Sequence, residues 1–326
     1  MGCDRIRAVC RSLAGEVAVV IAYIARRLLL LIPIWFGVLT LVFLMRVLVP
    51  GDPVDIMFFG QQSDPVVKQA VRHELGLDRP LYVQYGKYIW GVVHGDLGTS
   101  ITTRRPVVAE IKNRYPNTLV LTLASLTVAI IIGFAAGILA AVYKDSLIDT
   151  VSTVLSLAGL SMPGFWLGLL LIYIFAVNLH WFPVLGSMSP RGMILPSVTL
   201  GVIASAVLAR IVRSSMLEVL NEDYIRTARA KGIKESTVII QHAWKNALIP
   251  IVTIVGLQFG GLLSGAFVIE YVFAWHGVGE LAVQALQKRD FPLIQGIILV
   301  VSTTYVLVNL LVDVLYAKID PRIAYQ

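Results

Sequence analysis

Groups able to do covalent chemistry are few in this sequence, and none stands in a catalytic arrangement. Its five histidines, His73, His94, His180, His242 and His276, share no spacing at which imidazoles hold a metal ion. Ser264-Gly265 offers a nucleophile inside an apolar run, but no histidine lies within such a run to serve as its base. Gly277-Val278-Gly279-Glu280-Leu281-Ala282 has the spacing of a dinucleotide fingerprint, yet it follows a membrane-length run rather than a strand. No Gly-x-x-x-x-Gly-Lys-Ser/Thr occurs, so the chain is expected to bind no ATP, metal or other cofactor of its own. What remains is recognition chemistry. It is concentrated in a basic island, residues 221–246, NEDYIRTARAKGIKESTVIIQHAWKN, which lies between two apolar runs.

The island's spacing predicts a helix over 223–231. Asn221 is a good N-cap, Glu222 and Asp223 fall in the first turn where the helix dipole favours negative charge, and Lys231 falls in the last. Gly232 stands where a left-handed residue would close the helix. A second helix over 236–246 would lead into the membrane at Leu248. Ala228 and Gly232, four residues apart, are expected to share a nearly bare face that another protein can approach. Tyr224, one turn earlier, would anchor in a partner's groove, with Arg226, Arg229 and Lys231 ringing the contact.

The elements that must present this island are membrane helices. The chain has 326 residues, 57% hydrophobic and only 14% charged, where soluble domains carry about a quarter charged residues. Runs over 28–49, 118–142, 151–177, 195–216, 248–269 and 292–316 each reach the roughly 20 residues that cross a bilayer. The reading is an all-α integral membrane protein with six transmembrane helices. Six spans put both termini on one side. That side holds Arg5, Arg7, Arg11, Arg26 and Arg27 of the 1–27 tail, Lys144, the island over 217–247, and Lys318 and Arg322 of the 317–326 tail. The short loops opposite hold only Arg191, Lys288 and Arg289, so both termini and the island should be cytosolic. The net charge of +7 then reflects this bias rather than a nucleic-acid surface. Cys3 and Cys10 fall in the cytosolic tail, where a disulfide is not expected.

Residues 50–117 form the one sizeable extracytoplasmic region. Asp64 and Pro65 open a short helix there and Gly76 closes it. Residues 82–93 carry Tyr82, Tyr85, Tyr88 and Trp90, which suits either a helix lying at the membrane interface or a small cap packed on the outer helix ends. In the third span, Ser161-Met162-Pro163-Gly164 must kink the helix, as a hinge, as a break lining a cavity, or simply to fit its neighbours. Gln258 faces a cavity or makes an interhelical hydrogen bond. Ser161, Pro163, Gln258 and Ser264 are the candidate pathway-lining residues. Gly133-x-x-x-Gly137, Gly256-x-x-x-Gly260 and Gly261-x-x-x-Gly265 allow close helix packing. A secondary transporter or channel working alone would want intramembrane charges or paired broken helices, and would leave the island without a role.

Residues 224–232 resemble the loop of ATP-binding-cassette importer permeases, whose generic form is Glu-Ala-Ala, three residues, Gly. Arg226, Thr227 and Ala228 stand in the Glu-Ala-Ala places and Gly232 in that of the Gly. The missing Glu and first Ala, and a proline that comes only at Pro250, fit the dipeptide/oligopeptide/nickel branch. Arg26-Arg27-Leu28, Pro50-Gly51-Asp52-Pro53, Leu75-Gly76-Leu77-Asp78-Arg79-Pro80, Gly95-Asp96-Leu97-Gly98, Pro163-Gly164-Phe165-Trp166-Leu167-Gly168, Gly277-Val278-Gly279 and Arg289-Asp290 resemble that branch as well. The resemblance runs from about residue 23 to the end. It implies the type I importer permease fold in a bacterial or archaeal cytoplasmic membrane. It implies a second homologous permease subunit, two ATPase subunits that carry ATP and Mg, and an extracytoplasmic solute-binding protein. It makes the island, with Asp223, Tyr224, Arg226, Thr227, Ala228 and Gly232, the coupling helix of a subunit with no ATPase site. Peptides are the first expectation for the solute; nickel complexes, glutathione and oligosaccharides are carried by similar proteins.

Overall fold

Backbone groups facing lipid find no partner but the chain itself, and apolar runs of this length fold as helices. The computed structural model describes residues 29, 32–45, 47–48, 54, 64–74 and 76–319. The readings made for residues 1–27, for Arg26-Arg27-Leu28, for Pro50-Gly51-Asp52-Pro53 and for 320–326 fall outside the described residues. Among the described residues the one pairing outside helices is a single bridge between Thr99 and Pro106.

The helices are α1 (Ile32–Met45), α2 (Pro65–Glu74), α3 (Leu81–Val93), α4 (Val107–Val142), α5 (Leu147–Ser161), α6 (Gly164–Leu171, continuing in wider π-type turns over Ile172–Asn178), α7 (Pro190–Leu220), α8 (Asp223–Ala230), α9 (Trp244–Val272), α10 (Val278–Gln287) and α11 (Phe291–Ile319). Among the described residues, Val107–Val142, Pro190–Leu220, Pro250–Val272 and Phe291–Val312 are long and apolar enough to cross a membrane. The run read as a span over 151–177 is broken at the expected proline into α5 and α6, which meet at 105°. Met162 and Pro163 are both extended at the joint, because the ring of Pro163 excludes helical backbone from the residue before it. α4 also starts well before the apolar run at 118, since Val107 and Ile111 have a core of their own against α10 and α11.

α2 follows its sequence signals. Asp64 Oδ1 accepts from Val66 N–H at 3.0 Å, and Gly76, at φ +67°, closes the helix with Leu77 N–H donating to Arg72 O. α3 packs its Tyr85 face on α1, where Tyr85 OH lies 2.6 Å from Thr40 Oγ1 and its ring 5.1 Å from that of Phe43. Its opposite face leaves Tyr82 and Trp90 exposed.

Small residues set the helix spacing. A Cβ at Gly133 would meet Leu208 Cβ at 2.7 Å, one at Gly137 would meet Ala209 O at 2.6 Å, and one at Gly201 would meet Val128 Cβ at 2.6 Å. The backbones of α4 and α7 therefore touch. Gly256 and Gly260 of α9 instead receive the side chains of Val312 and Tyr305 of α11. Gly265 has nothing near it, so the third glycine pair closes no such contact.

The end of the bundle bearing α10 is held by two buried carboxylates. Glu270, at the end of α9, accepts from Gly279 N–H at 2.7 Å and Glu280 N–H at 3.2 Å. Its carboxyl group and Phe267 occupy the space where Cβ atoms of Gly277 and Gly279 would stand, so the glycine pair makes room for a carboxylate and not for a dinucleotide. Asp290 accepts from Ser100 Oγ at 2.5 Å, Ile101 N–H at 3.1 Å and Thr102 N–H at 3.0 Å, tying that loop to the start of α11. Arg114 pairs with Glu280 at 2.9 Å.

Gly137→Leu is expected to destabilise the fold by about 1–3 kcal/mol through overpacking, while Gly265→Ala leaves it unchanged. Thermal unfolding of the purified protein in detergent checks the pair; equal midpoints would contradict the contact.

Candidate docking helix and the concavity beside it

α8 is short, and what fixes it is its ends and its inner face. Asn221, the expected N-cap, is instead the residue that ends α7, and Glu222, in extended conformation, opens α8. The turn between the two helices is too tight to leave Asn221 outside α7. At the far end Gly232 adopts φ +75°, Gly232 N–H donates to Arg229 O at 2.9 Å and Ile233 N–H to Ala228 O at 3.3 Å. This is a left-handed glycine closure of the kind the sequence predicts. The second helix expected over 236–246 is one turn, Glu235–Thr237, which runs through π-type turns at Val238–Ala243 into α9.

The inner face differs from the expected one. Ile225 is fully buried and Ala228 nearly so, in a core with Ala141 of α4, Val212 and Met216 of α7, and Val238, Ala243, Ala247 and Ile251. Ala228 therefore packs on its own chain and offers no bare face to a partner. Gly232 does not share a face with it, because the i, i+4 rule ends where the helix does. The outward face is Asp223, Thr227 and Ala230, flanked by Tyr224, Arg226 and Lys231, all exposed. Tyr224 is oriented by Asn246, whose Nδ2 donates to the phenol oxygen at 2.8 Å. Arg226 stands 3.6 Å from Asp223. Arg229 pairs with Glu235 at 2.7 Å, and its hydrogen bonds hold the Glu235 carboxyl below its usual range. The only large apolar residue in Asp223–Ala230 besides Tyr224 is Ile225, a signal that could have found the inner face.

Of the candidate lining residues, Gln258 lines a concavity; Pro163 does not, though Gly164 beside it does. Gly164, Ile203, Ala204, Gln258, Gly261 and Gly265 line a concavity of about 430 Å³ between α6, α7 and α9. Gln258 Nε2 donates to Ala204 O at 3.0 Å. Because a carbonyl accepts only a donor, Oε1 must turn the other way, toward Gly261 and the concavity. Gln258 thus makes the interhelical hydrogen bond and borders the concavity as well. Ser161 and Ser264 are exposed but do not line this space; Ser161 Oγ donates to Leu157 O at 3.0 Å. Among the described residues no cluster of three or more metal-ligating side chains occurs.

Comparison with known proteins gives the family. The family described as "Binding-protein-dependent transport system inner membrane component" matches residues 133–325, and its N-terminal counterpart matches residues 20–122. The glutathione transport system permease protein GsiC of Escherichia coli (strain K12) is 49% identical over 304 residues, covering 93% of this chain and 99% of that one. GsiC of Shigella flexneri serotype 5b (strain 8401) matches to the same extent. Among solved structures, the MetNI methionine ABC transporter in an inward-facing conformation aligns with a TM-score of 0.55 at 20% identity, over 65% of this chain and 96% of that one. An amino acid ABC transporter crystallised with histidines aligns with a TM-score of 0.50 at 18% identity, over 66% and 94%. The chain belongs to the binding-protein-dependent inner-membrane components, the permease subunits of ABC importers.

Ile225→Ala is expected to cost about 2–5 kcal/mol, as for other buried isoleucines. Gly232→Ala should cost about 1–2 kcal/mol for the left-handed backbone alone. The unfolding midpoint of the purified protein reports both; an unchanged midpoint for Ile225→Ala would show that α8 does not rest on this core.

Proposed function

We propose that this permease subunit forms half of the pathway by which an ATP-driven importer takes up peptides or similar small solutes, and that α8 is its coupling helix. The observation that carries the reading is a short helix whose inner face is buried against three long helices while its outer face stands exposed. A partner that grips the outer face moves the long helices through the inner one. The partner is one of two ATPase subunits, which hold the ATP and Mg; a second permease subunit completes the pathway, and an extracytoplasmic binding protein delivers the solute. Identity of 49% to permeases named for glutathione, itself a small peptide, favours peptide-like cargo. The Lys and Arg distribution favours six spans with both termini and α8 on the cytosolic side of a cytoplasmic membrane.

The cycle requires that ATP-bound and ATP-free partners prefer different helix arrangements. Carrying the subunit from 1:99 to 99:1 between them takes about 5.5 kcal/mol of differential affinity. That energy enters through Asp223, Tyr224, Arg226, Thr227 and Ala230, while Ala228 and Gly232 keep the helix in shape. The concavity with Gln258 is the proposed wall of the pathway, where Oε1 accepts from an amide N–H or ammonium group of the solute.

In proteoliposomes containing the whole complex, Ala230→Trp should abolish solute-stimulated ATP hydrolysis and transport without moving the unfolding midpoint of the purified subunit. Arg226→Glu should do much less, since exposed pairs contribute about 0–1 kcal/mol. Wild-type rates for Ala230→Trp would rule out this surface. Gln258→Leu should lower peptide transport about two- to tenfold with the complex intact, the worth of one hydrogen bond. A peptide flux equal to wild type would remove Gln258 from the pathway.

A further inference from the structure

α5 is joined to the rest of the bundle in an unusual way. Along its length it meets its neighbours only at small residues: Gly159 faces Ala206 of α7, and Ser152 Oγ donates to Ala136 O of α4 at 3.3 Å. A groove of about 620 Å³ opens beside these contacts, lined by Leu155, Val202, Ser205 and Ala209 among others. Leu147, Val154, Leu155 and Leu157 on α5 are exposed. At its far end α5 breaks at Pro163 into α6, and α6 is held fast, with Gly168 against Phe273 of α9 and Thr199 of α7.

At its near end, by contrast, α5 is clamped. Asp149 is 5% exposed and receives Arg213 of α7 in a two-pronged pair, Nε to Oδ1 at 2.6 Å and Nη2 to Oδ2 at 2.7 Å. Asp145 N–H also donates to Asp149 Oδ2 at 3.1 Å, which ties the α4–α5 turn into the same clamp. A bidentate guanidinium–carboxylate pair fixes orientation as well as distance. Arg213 follows Val212 directly, and Val212 and Met216 are the α7 residues on which Ile225 and Ala228 of α8 rest.

Three facts therefore meet: a helix held by small residues beside an open groove, a joint at one end, and a rigid clamp at the other beside the seat of the docking helix. We propose that the Asp149–Arg213 pair is the positioning link that makes α5 follow α8 and α7 during the transport cycle, bending at Pro163 against a stationary α6. Displacement of α8 by its partner carries Val212, Met216 and Arg213 with it. Arg213 draws the start of α5, and the groove gives α5 room to move. Without the clamp, α8 still docks and ATP is still hydrolysed, but α5 no longer moves in step with α7. The inference rests on α8 being the coupling helix and adds a residue-level route from it to the broken helix.

The test uses the full complex in proteoliposomes and reads ATP hydrolysed per solute transported, a ratio that a merely structural pair would not change. Asp149→Asn and Arg213→Met should each raise it by about tenfold, a common size for coupling between sites. The reversed pair, Asp149→Arg with Arg213→Asp, should restore it in large part. Wild-type stoichiometry in Asp149→Asn overturns the proposal. So does a double reversal no better than the single variants. A second measurement leaves the pair intact: spin labels at exposed positions Leu147, Trp181 and Glu218, the last on α7 and off the docking face, compared between nucleotide-free and ATP-trapped complexes. The 147–218 distance should hold while the 147–181 distance changes; the opposite pattern overturns the link even if the variants fail to assemble. Loss of ATP-dependent transport in the wild-type complex would instead strike at the importer reading itself, which keeps the two failures apart.

Discussion

Contact between the backbones of α4 and α7 is the constraint on which the other elements depend. Within a bilayer, burying a leucine against a neighbour gains little over leaving it in lipid, so helix association relies on close packing and interhelical hydrogen bonds. Gly133, Gly137 and Gly201 allow that approach, and it puts Val212 and Met216 of α7 beside Ala141 of α4. The seat of α8 exists only because these two helices touch. The core under α6 and α9 uses other residues of the same pair, among them Leu121, Ala129, Leu200 and Leu208.

Two buried carboxylates of this frame are met in the same way. Glu270 and Asp290 are fully buried with no basic partner among the described residues, and each accepts from backbone N–H groups at a helix start or in a loop. Such carboxylates are tolerated because several donors converge on them, and they fix the position of what supplies the donors. Two buried acids thus hold α10 and the 100–102 loop at one end of the bundle. At the other end, the charged ties Arg213–Asp149 and Arg229–Glu235 join α7 to α5 and α8 to the turn that follows it. The chain thus meets its buried acids with backbone groups at one end and ties helix to helix with ion pairs at the other.

Pro163 and Gln258 give the wall of the concavity its character. The proline turns what hydropathy reads as one span into two helices at 105°. Its neighbour Gly164 then stands across from Gln258, a side chain whose one polar edge is spent on Ala204 and whose other edge is open.

Periodicity and end signals written in consecutive residues were legible without a fold. Asp64 and Gly76 bound α2, Gly232 closes α8, and the apolar runs mark most of the long helices. The permease family was legible too, because its motifs are short and local. What the sequence alone left undecided depended on which side of an element meets a neighbour. Ile225 marks the inner face of Asp223–Ala230, but which helices meet beneath it, α4, α7 and α9, no spacing within the segment announces. Asp149 and Arg213 lie 64 residues apart, and Asp290 and Ser100 lie 190 apart. Pairs so distant in the chain carry no local pattern, so only helix packing decides that they meet.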